Sequence, residues 1–259
     1  QTKILNEFKL TSRVKNLKIK KDKIIIVCEQ RIYVYSTDKY KLIESIETYK
    51  NEVGTIGVNT DADFTVMGYP LNNKGFIKVK YYEQSQEVEI NAHDDLIECI
   101  SINSDGSLVA TASINGTIIR VFSVSDGKFL GEFRRGKEKA KISCIAFDEY
   151  SSWMAICSER GCVHIYSMVN IWGQAKERNK LPPGGQEVLP QNKSSFLKKL
   201  PNFLTKGAFE GDKSFATVRI EQAPAICAIR RKEIGCDVII ITGTGKFYQA
   251  EINPNKGGT

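Results

Sequence analysis

The chain has only two histidines, His93 and His164, among its 259 residues, and it contains no CxxC pair. It also lacks the GxSxG, P-loop and HExxH patterns that mark serine hydrolases, nucleotide-binding enzymes and zinc proteases. Its longest apolar runs, such as Val238–Ile241, have the length of a strand, whereas a membrane-spanning helix needs about 20 residues. The sequence therefore predicts a protein that is not an enzyme, with no cofactor, no metal site and no transmembrane helix.

The composition, 41% apolar and 26% charged, is typical of a soluble globular protein. A net charge of +7 indicates an anionic partner, which could be a membrane surface, a nucleic acid or an acidic protein. Nucleic acid is the weakest of the three because the basic residues are not interleaved with aromatic residues along one face. No secretory signal is visible in a chain that begins with Gln1, and an upstream targeting segment is left open.

The seven cysteines are odd in number and mostly lie inside apolar strand patterns. Cys157 and Cys162 flank a predicted tight turn, but with only His164 nearby they do not form a convincing zinc site. This usage predicts buried free thiols in a reducing compartment. The cysteines are Cys28, Cys99, Cys144, Cys157, Cys162, Cys227 and Cys236.

A β-pattern recurs along the chain in units that begin near Val14, Ile56, Ile97, Ile142 and Ile226. The successive gaps are 42, 41, 45 and 84 residues, so the last gap spans about two periods and indicates one long insertion. An all-β repeat of ~40–45 residues is typical of a propeller with four strands per blade. The pattern predicts five blades at most, either a five-bladed ring or the tail of a seven-bladed one.

The third unit has the clearest pattern: strands at 97–102, 108–112, 117–123 and 128–133, with a strong hairpin turn at Asn115-Gly116. The fourth unit repeats this plan at 142–147, 153–158 and 162–168. Its outer strand is delayed to 214–220 by an insertion at residues 172–213 that is rich in proline and lysine. The fifth unit has three strands, and the whole of 1–259 is expected to form a single propeller domain.

The stretch Phe133-Arg134-Arg135-Gly136 ends the third unit. Neighbouring side chains on a strand point to opposite faces, so the two arginines could serve two separate pockets. Ser113 and Thr117 lie around one hairpin, and Ser158 and Cys162 lie around the next. Arginine, hydroxyl and imidazole groups together suit a phosphate. The alternative is a pair of solvated charges beside hydroxyl residues that only form turns.

The insertion interleaves large apolar residues with lysines between Ser194 and Leu204. Such a loop could place its apolar side chains at a lipid interface while its lysines meet anionic headgroups. The alternative is a disordered basic loop.

Three segments together resemble the PROPPINs, the WD-repeat phosphoinositide-binding propellers of autophagy: 116–122, the FRRG motif at 133–136, and Val163-His164-Ile165-Tyr166. The resemblance runs from about Val14 to Gly258. It implies a β-propeller that is seven-bladed in full, with about five blades in this chain. It further implies a non-enzymatic scaffold that binds phosphatidylinositol 3-phosphate and phosphatidylinositol 3,5-bisphosphate at two sites flanking the FRRG strand. The implied partners are these membranes and autophagy proteins, and the implied location is cytoplasmic, peripheral on autophagosomal precursor, endosomal or vacuolar membranes.

The resemblance also assigns residues to each site. Arg134 would serve one site with His93, Ser113 and Thr117, and Arg135 would serve the other with Ser158 and His164. The insertion corresponds to the membrane-inserting loop of the family, with Phe196, Leu197, Phe203 and Leu204 as the inserting residues.

The chain departs from the family pattern at two places. Cys162 stands where the second site usually has a threonine, and because a thiol is a poor hydrogen-bond donor we expect that site to be the weaker. About one and a half blades are missing at the front, so either the chain is partial or the ring closes differently. The alternative function is a protein-interaction propeller whose basic loop binds an acidic partner.

Overall fold

A computed structural model describes residues 3–61, 63–169, 171 and 211–255. Its twenty strands form five sheets that follow one another along the chain. The first sheet is β1 (Val14–Ile19), β2 (Lys23–Cys28), β3 (Arg31–Ser36) and β4 (Leu42–Glu47), and the second is β5 (Gly57–Val58), β6 (Val66–Pro70), β7 (Phe76–Tyr81) and β8 (Gln86–Asn91).

The remaining three sheets follow the same antiparallel order. The third comprises β9 (Ile97–Ile102), β10 (Leu108–Ser113), β11 (Ile118–Ser123) and β12 (Phe129–Arg134), with β16 (Asp212–Lys213) added at its outer edge. The fourth comprises β13 (Ile142–Phe147), β14 (Trp153–Ser158), β15 (Cys162–Ser167) and β17 (Ala216–Arg219), and the fifth β18 (Ala225–Arg231), β19 (Cys236–Thr242) and β20 (Phe247–Ile252).

The core consists of four apolar clusters, one between each pair of consecutive sheets. Alternation along each strand sends successive side chains to the two neighbouring sheets. On β10, Leu108 and Ala110 pack toward the fourth sheet, while Val109 packs toward the second. A strand packed on both faces must be apolar throughout, and β10 and β14 are buried along their whole length.

The first strands of all five sheets line one central cavity of about 520 Å³. Its walls include Lys18 from β1, Gly57 from β5, Glu98 from the start of β9, Cys144 from β13 and Ile226 from β18. Sheets arranged around a common channel, each contributing its first strand to the wall, define a propeller, as the sequence predicted.

The strand pattern was predicted closely, including the delayed outer strand of the fourth sheet, which lies at Ala216–Arg219 and pairs with β15. One strand was not predicted. The short β16 lies inside the segment assigned to the insertion, and it pairs in parallel with β12 at Phe133 and Arg134. Residues 172–210, and with them Phe196, Leu197, Phe203 and Leu204, lie outside the described part of the chain.

All seven cysteines are free, but the expectation that they are buried holds fully only for Cys28, Cys157 and Cys236. The other four are half-buried: Cys99, Cys144, Cys162 and Cys227.

Candidate functional site: two pockets beside the FRRG strand

The two arginines lie at the end of β12 and face different sheets. Arg134 is the last residue of the strand and pairs with Ile118, while Phe133 pairs with Ile119. The amide of Arg135 donates to the carbonyl of Thr117 at 2.9 Å, so the pairing continues one residue further. Because Phe133 packs against Tyr166 of the fourth sheet, alternation directs Arg135 to that sheet and Arg134 to the second.

Arg135 is fixed against the hairpin that precedes β11. Its side chain is 8% exposed, and its Nε donates to the carbonyl of Gly116 at 2.8 Å. A second guanidinium nitrogen donates to the carbonyl of Glu138. Gly116 has φ of +56°, and a Cβ there would lie 1.9 Å from the carbonyl oxygen of Ala140, so the turn requires glycine. The hairpin therefore holds this guanidinium in one orientation.

The face of the fourth sheet toward Arg135 carries the predicted residues of the second pocket. Ser158 and Cys162 are paired across β14 and β15, and His164 is two residues further along the same face. Burial, together with the nearby charge of Arg135, lowers the pKa of His164 to about 4. The imidazole is therefore neutral at pH 7 and sits close enough to Arg135 to sense its charge.

Two hydroxyl groups next to His164 were not predicted. Thr217 is the partner of His164 in the pairing of β15 with β17. The Oγ atoms of Ser214 and Thr217 each lie 3.4 Å from Nδ1 of His164, and they are 3.1 Å from each other. Thr217 belongs to the delayed strand and Ser214 lies just before it, and the register of that strand against β15 could not be read from the sequence.

The second pocket is also more basic than the sequence suggested. Arg219 is exposed and pairs with Cys162 across β15 and β17. Arg160, in the turn before β15, pairs with the Glu138 carboxylate. Burial and the charge of Arg160 lower the pKa of Arg135, so the two guanidinium groups are close enough to interact. Arg160 and Arg219 thus flank the second pocket in addition to Arg135.

The first pocket lies between the second and third sheets. His93 follows β8 and is 4% exposed, and its Nε2 lies 3.0 Å from Oγ1 of Thr111 on β10. Ser113 lies two residues after Thr111 on the same face and is also buried. Burial, with a smaller effect from the charge of Arg120, lowers the pKa of His93 to about 4.

Two cations near the first pocket were missed. Arg120 lies on the same face as Arg134, and its guanidinium binds Glu132 at 2.9 Å and the carbonyl of Ala92 at 2.9 Å. Lys213 on β16 is exposed, and it is the partner of Arg134 in the backbone pairing of β16 with β12. Thr117 lies at the hairpin end between the pockets, where its carbonyl accepts the amides of Arg135 and Gly136. The structure thus brings His93, Ser113 and Arg134 to one face and Ser158, His164 and Arg135 to another.

The low pKa of His93 predicts a specific pH dependence of stability. In the unfolded chain a histidine has a pKa of about 6.5, so between pH 6.5 and 4 the unfolded state binds a proton that the folded state does not. The stability that His93 contributes is complete above pH 6.5 and is lost as the pH falls through this window. We expect His93→Gln to lose less stability than the wild type between pH 7 and pH 5 in urea titrations. Equal losses in the two proteins would contradict a neutral, buried His93.

In the described residues no group of His, Cys, Asp and Glu side chains could hold a metal ion, and no helix there is long and apolar enough to span a membrane.

The fold and the paired pockets define a WD-type propeller with two polar, cationic sites on either side of one strand. The PROPPIN family model matches residues 1–259, and the chain belongs to that family. It is 34% identical to autophagy-related protein 18e of Arabidopsis thaliana over 212 residues, which are 82% of this chain and 52% of the relative. The chain therefore spans about half the length of that relative.

Two solved structures have the same fold. The structure of Hsv2 from Kluyveromyces lactis matches with a TM-score of 0.66 at 17% identity, over 97% of this chain and 76% of the other. KlAtg21, solved in complex with the coiled-coil of AgAtg16, matches with a TM-score of 0.67 at 20% identity, over 94% and 67%. These two matches show the fold, and with the family model they make the chain a β-propeller of the PROPPIN family.

Proposed function

We propose that the protein is a membrane-recruited scaffold that binds phosphatidylinositol 3-phosphate and phosphatidylinositol 3,5-bisphosphate through the two pockets beside the FRRG strand. The observation that carries this proposal is that Arg134 and Arg135 face different sheets, and that the face toward which each one points carries a histidine and a serine. An arginine binds a phosphate through two parallel hydrogen bonds, and neutral hydroxyl and imidazole groups complete the donor set. No catalytic role is assigned to any of these residues.

The proposed location is the cytoplasmic face of autophagosomal precursor, endosomal or vacuolar membranes. Two headgroups bound side by side by one chain make the attachment multivalent, so the avidity can exceed the affinity of either pocket by orders of magnitude. Autophagy proteins are the proposed protein partners, by analogy with the coiled-coil complex of KlAtg21.

The test is liposome flotation with vesicles that differ in one lipid only. Vesicles with 3-phosphorylated phosphoinositide should carry the protein to the top of the gradient, and vesicles with unphosphorylated phosphatidylinositol should not. Equal flotation with the two lipids, or with any anionic lipid at matched charge, would contradict the proposal.

Cys162 predicts an unequal pair of pockets. The variant Arg134→Thr leaves only the second pocket and should bind more weakly than Arg135→Thr, which leaves only the first. Adding Cys162→Thr to Arg134→Thr supplies a better hydrogen-bond donor to the second pocket. We expect this double variant to bind at least about 5-fold more tightly than Arg134→Thr alone. One hydrogen bond to a charged group contributes ~1.5–3 kcal/mol, and reorganisation of the pocket offsets part of that gain. Calorimetric titration with a short-chain phosphoinositide measures the change, and an unchanged or weaker affinity would contradict it.

The insertion predicts a separate contribution from lipid insertion. Replacing Phe196, Leu197, Phe203 and Leu204 by serine should reduce flotation strongly, because each buried large apolar side chain contributes ~1.5–3 kcal/mol. Binding of the soluble headgroup should stay unchanged. The matched control replaces Lys198 and Lys199 by glutamine. If only the lysine variant loses flotation, the loop acts through its charge and not by insertion of its apolar side chains, which would contradict this prediction.

A further inference from the structure

The fourth and fifth sheets meet at a pair of thiols. Cys144 lies on β13 and Cys227 on β18, the first strands of the two sheets. Their sulfur atoms are 3.9 Å apart, and the amide nitrogen of Cys227 lies 3.5 Å from the Cys144 sulfur. This is van der Waals contact between two half-buried sulfurs that are 83 positions apart in the chain. A disulfide bond is ~2.05 Å long, so rotation of the two side chains over a short distance would close it.

A small oxidant has a route to this pair. Cys144 lines the central channel, whose volume of about 520 Å³ is far larger than a peroxide molecule. Cys227 lines an adjoining cavity of about 400 Å³, whose wall also includes Val58 of the second sheet. By contrast, Cys157, which pairs with Cys144 across β13 and β14, is fully buried. The pair is therefore reached from the channel while the third nearby thiol is shielded.

The surroundings shift the pKa values of the two thiols in opposite directions. The hydrogen bond from the Cys227 thiol, the Cys227 amide and the charge of Lys18 lower the pKa of Cys144, and they outweigh its burial. The hydrogen bonds with Cys144 and Cys157, together with burial, raise the pKa of Cys227. The thiolate is the reactive form of cysteine, so Cys144 is the thiol that attacks and Cys227 the one that resolves.

We propose that Cys144 and Cys227 are a site of reversible oxidation, at which hydrogen peroxide forms a disulfide that joins the first strands of the fourth and fifth sheets. The Cys144 thiolate attacks one peroxide oxygen, the O–O bond breaks, and the hydroxide that leaves takes up a proton to form water. Cys144 is then a sulfenic acid. The Cys227 sulfur, losing its proton, attacks the Cys144 sulfur; the S–O bond breaks and a second water leaves. Two thiols lose two electrons in total, and one peroxide is reduced to two waters.

The disulfide would close a long loop that contains the insertion at 172–213. Joining two distant positions restricts the unfolded chain more than the folded one, so we expect the oxidised protein to unfold at higher urea concentration than the reduced protein. The bond lies at the channel, whereas the two phosphate pockets lie at the hairpin ends of the third and fourth sheets. The inference therefore does not depend on the proposed lipid binding.

The experiment treats the folded 259-residue protein with hydrogen peroxide, blocks remaining thiols with N-ethylmaleimide in denaturant, and maps disulfides by mass spectrometry without reduction. Trypsin alone leaves Cys144 and Cys157 in one peptide, 142–160, so chymotrypsin is added to cut at Phe147, Tyr150 or Trp153. The expected result is a peptide containing Cys144 linked to the peptide containing Cys227, an intact mass lower by two hydrogen atoms, and full reversal by dithiothreitol.

Cys144→Ser and Cys227→Ser should each abolish the linked peptide, and the matched control Cys162→Ser, also half-buried, should retain it. If a serine variant fails to fold, the peptide map of the wild-type protein still shows whether the disulfide between Cys144 and Cys227 forms. Three outcomes would overturn the proposal. The first two are a disulfide between Cys227 and Cys157 and one between Cys144 and Cys99. The third is complete labelling of both Cys144 and Cys227 by N-ethylmaleimide after peroxide treatment.

Discussion

Replacing Arg134 and Arg135 together by threonine should abolish flotation with vesicles that contain phosphatidylinositol 3-phosphate. Each arginine is the only FRRG cation on its face of the strand, so the double variant removes the main charged donor from both pockets. Hydrogen bonds to a charged group contribute ~1.5–3 kcal/mol each, and the loss at one pocket is on the order of 10- to 100-fold in affinity. Because attachment is multivalent, the two losses multiply, and we expect no measurable flotation at physiological salt.

The matched control for this variant replaces two arginines of the first sheet region, the exposed Arg13 and the half-buried Arg31, by threonine, which lowers the net charge by the same amount. It should float like the wild type. Arg135 also binds the carbonyls of Gly116 and Glu138, so circular dichroism and urea titration must show that the double variant is folded. Wild-type flotation by the folded double variant would exclude the FRRG strand as the lipid-binding element.

Phe133→Ala should destabilise the protein by about 3–5 kcal/mol, the range measured for truncation of fully buried aromatic side chains. Phe133 is 1% exposed and contacts the Tyr166 ring at a centroid distance of 5.2 Å in an edge-on arrangement. The Tyr166 hydroxyl in turn donates to the carbonyl of Arg134 at 2.8 Å. The cavity left by the missing ring would therefore open beside Tyr166, on the face that carries Arg135.

Phe129→Ala is the control on the same strand, since Phe129 is 49% exposed. We expect Phe129→Ala to lower the free energy of unfolding much less, because the main contact it removes is the edge-on contact with Phe122. Urea titration with tryptophan fluorescence measures the difference, because Trp153 is fully buried in the fourth sheet. Similar losses from the two phenylalanine variants would mean that the interface between the third and fourth sheets is not packed as described.

Much of the fold could be predicted because each sheet reads as alternating strands between strong turns. The Asn115-Gly116 hairpin illustrates why: its glycine has φ of +56° and lies against the Ala140 carbonyl, so sequence and geometry agree. The strand β16 could not be predicted, because two residues have no periodicity. Its pairing with β12 depends on the path of a long insertion rather than on local preference.

The site was predicted in part for the same reason. Alternation alone separates Arg134 from Arg135, and the hairpins place Ser113 and Ser158 correctly at the strand ends. Thr217, Arg219 and Lys213 were missed because each is brought beside the predicted residues by the pairing of a strand distant in sequence. The family resemblance supplied the residue roles, and those roles stay predictions until binding is measured.

The central claim is that one strand serves two phosphate pockets, and the stoichiometry of binding tests it most directly. Native mass spectrometry with a short-chain phosphatidylinositol 3-phosphate should detect two ligands on the wild-type chain, one on Arg134→Thr, one on Arg135→Thr and none on the double variant. A single ligand on the wild type, or the loss of all binding in either single variant, would contradict two independent pockets.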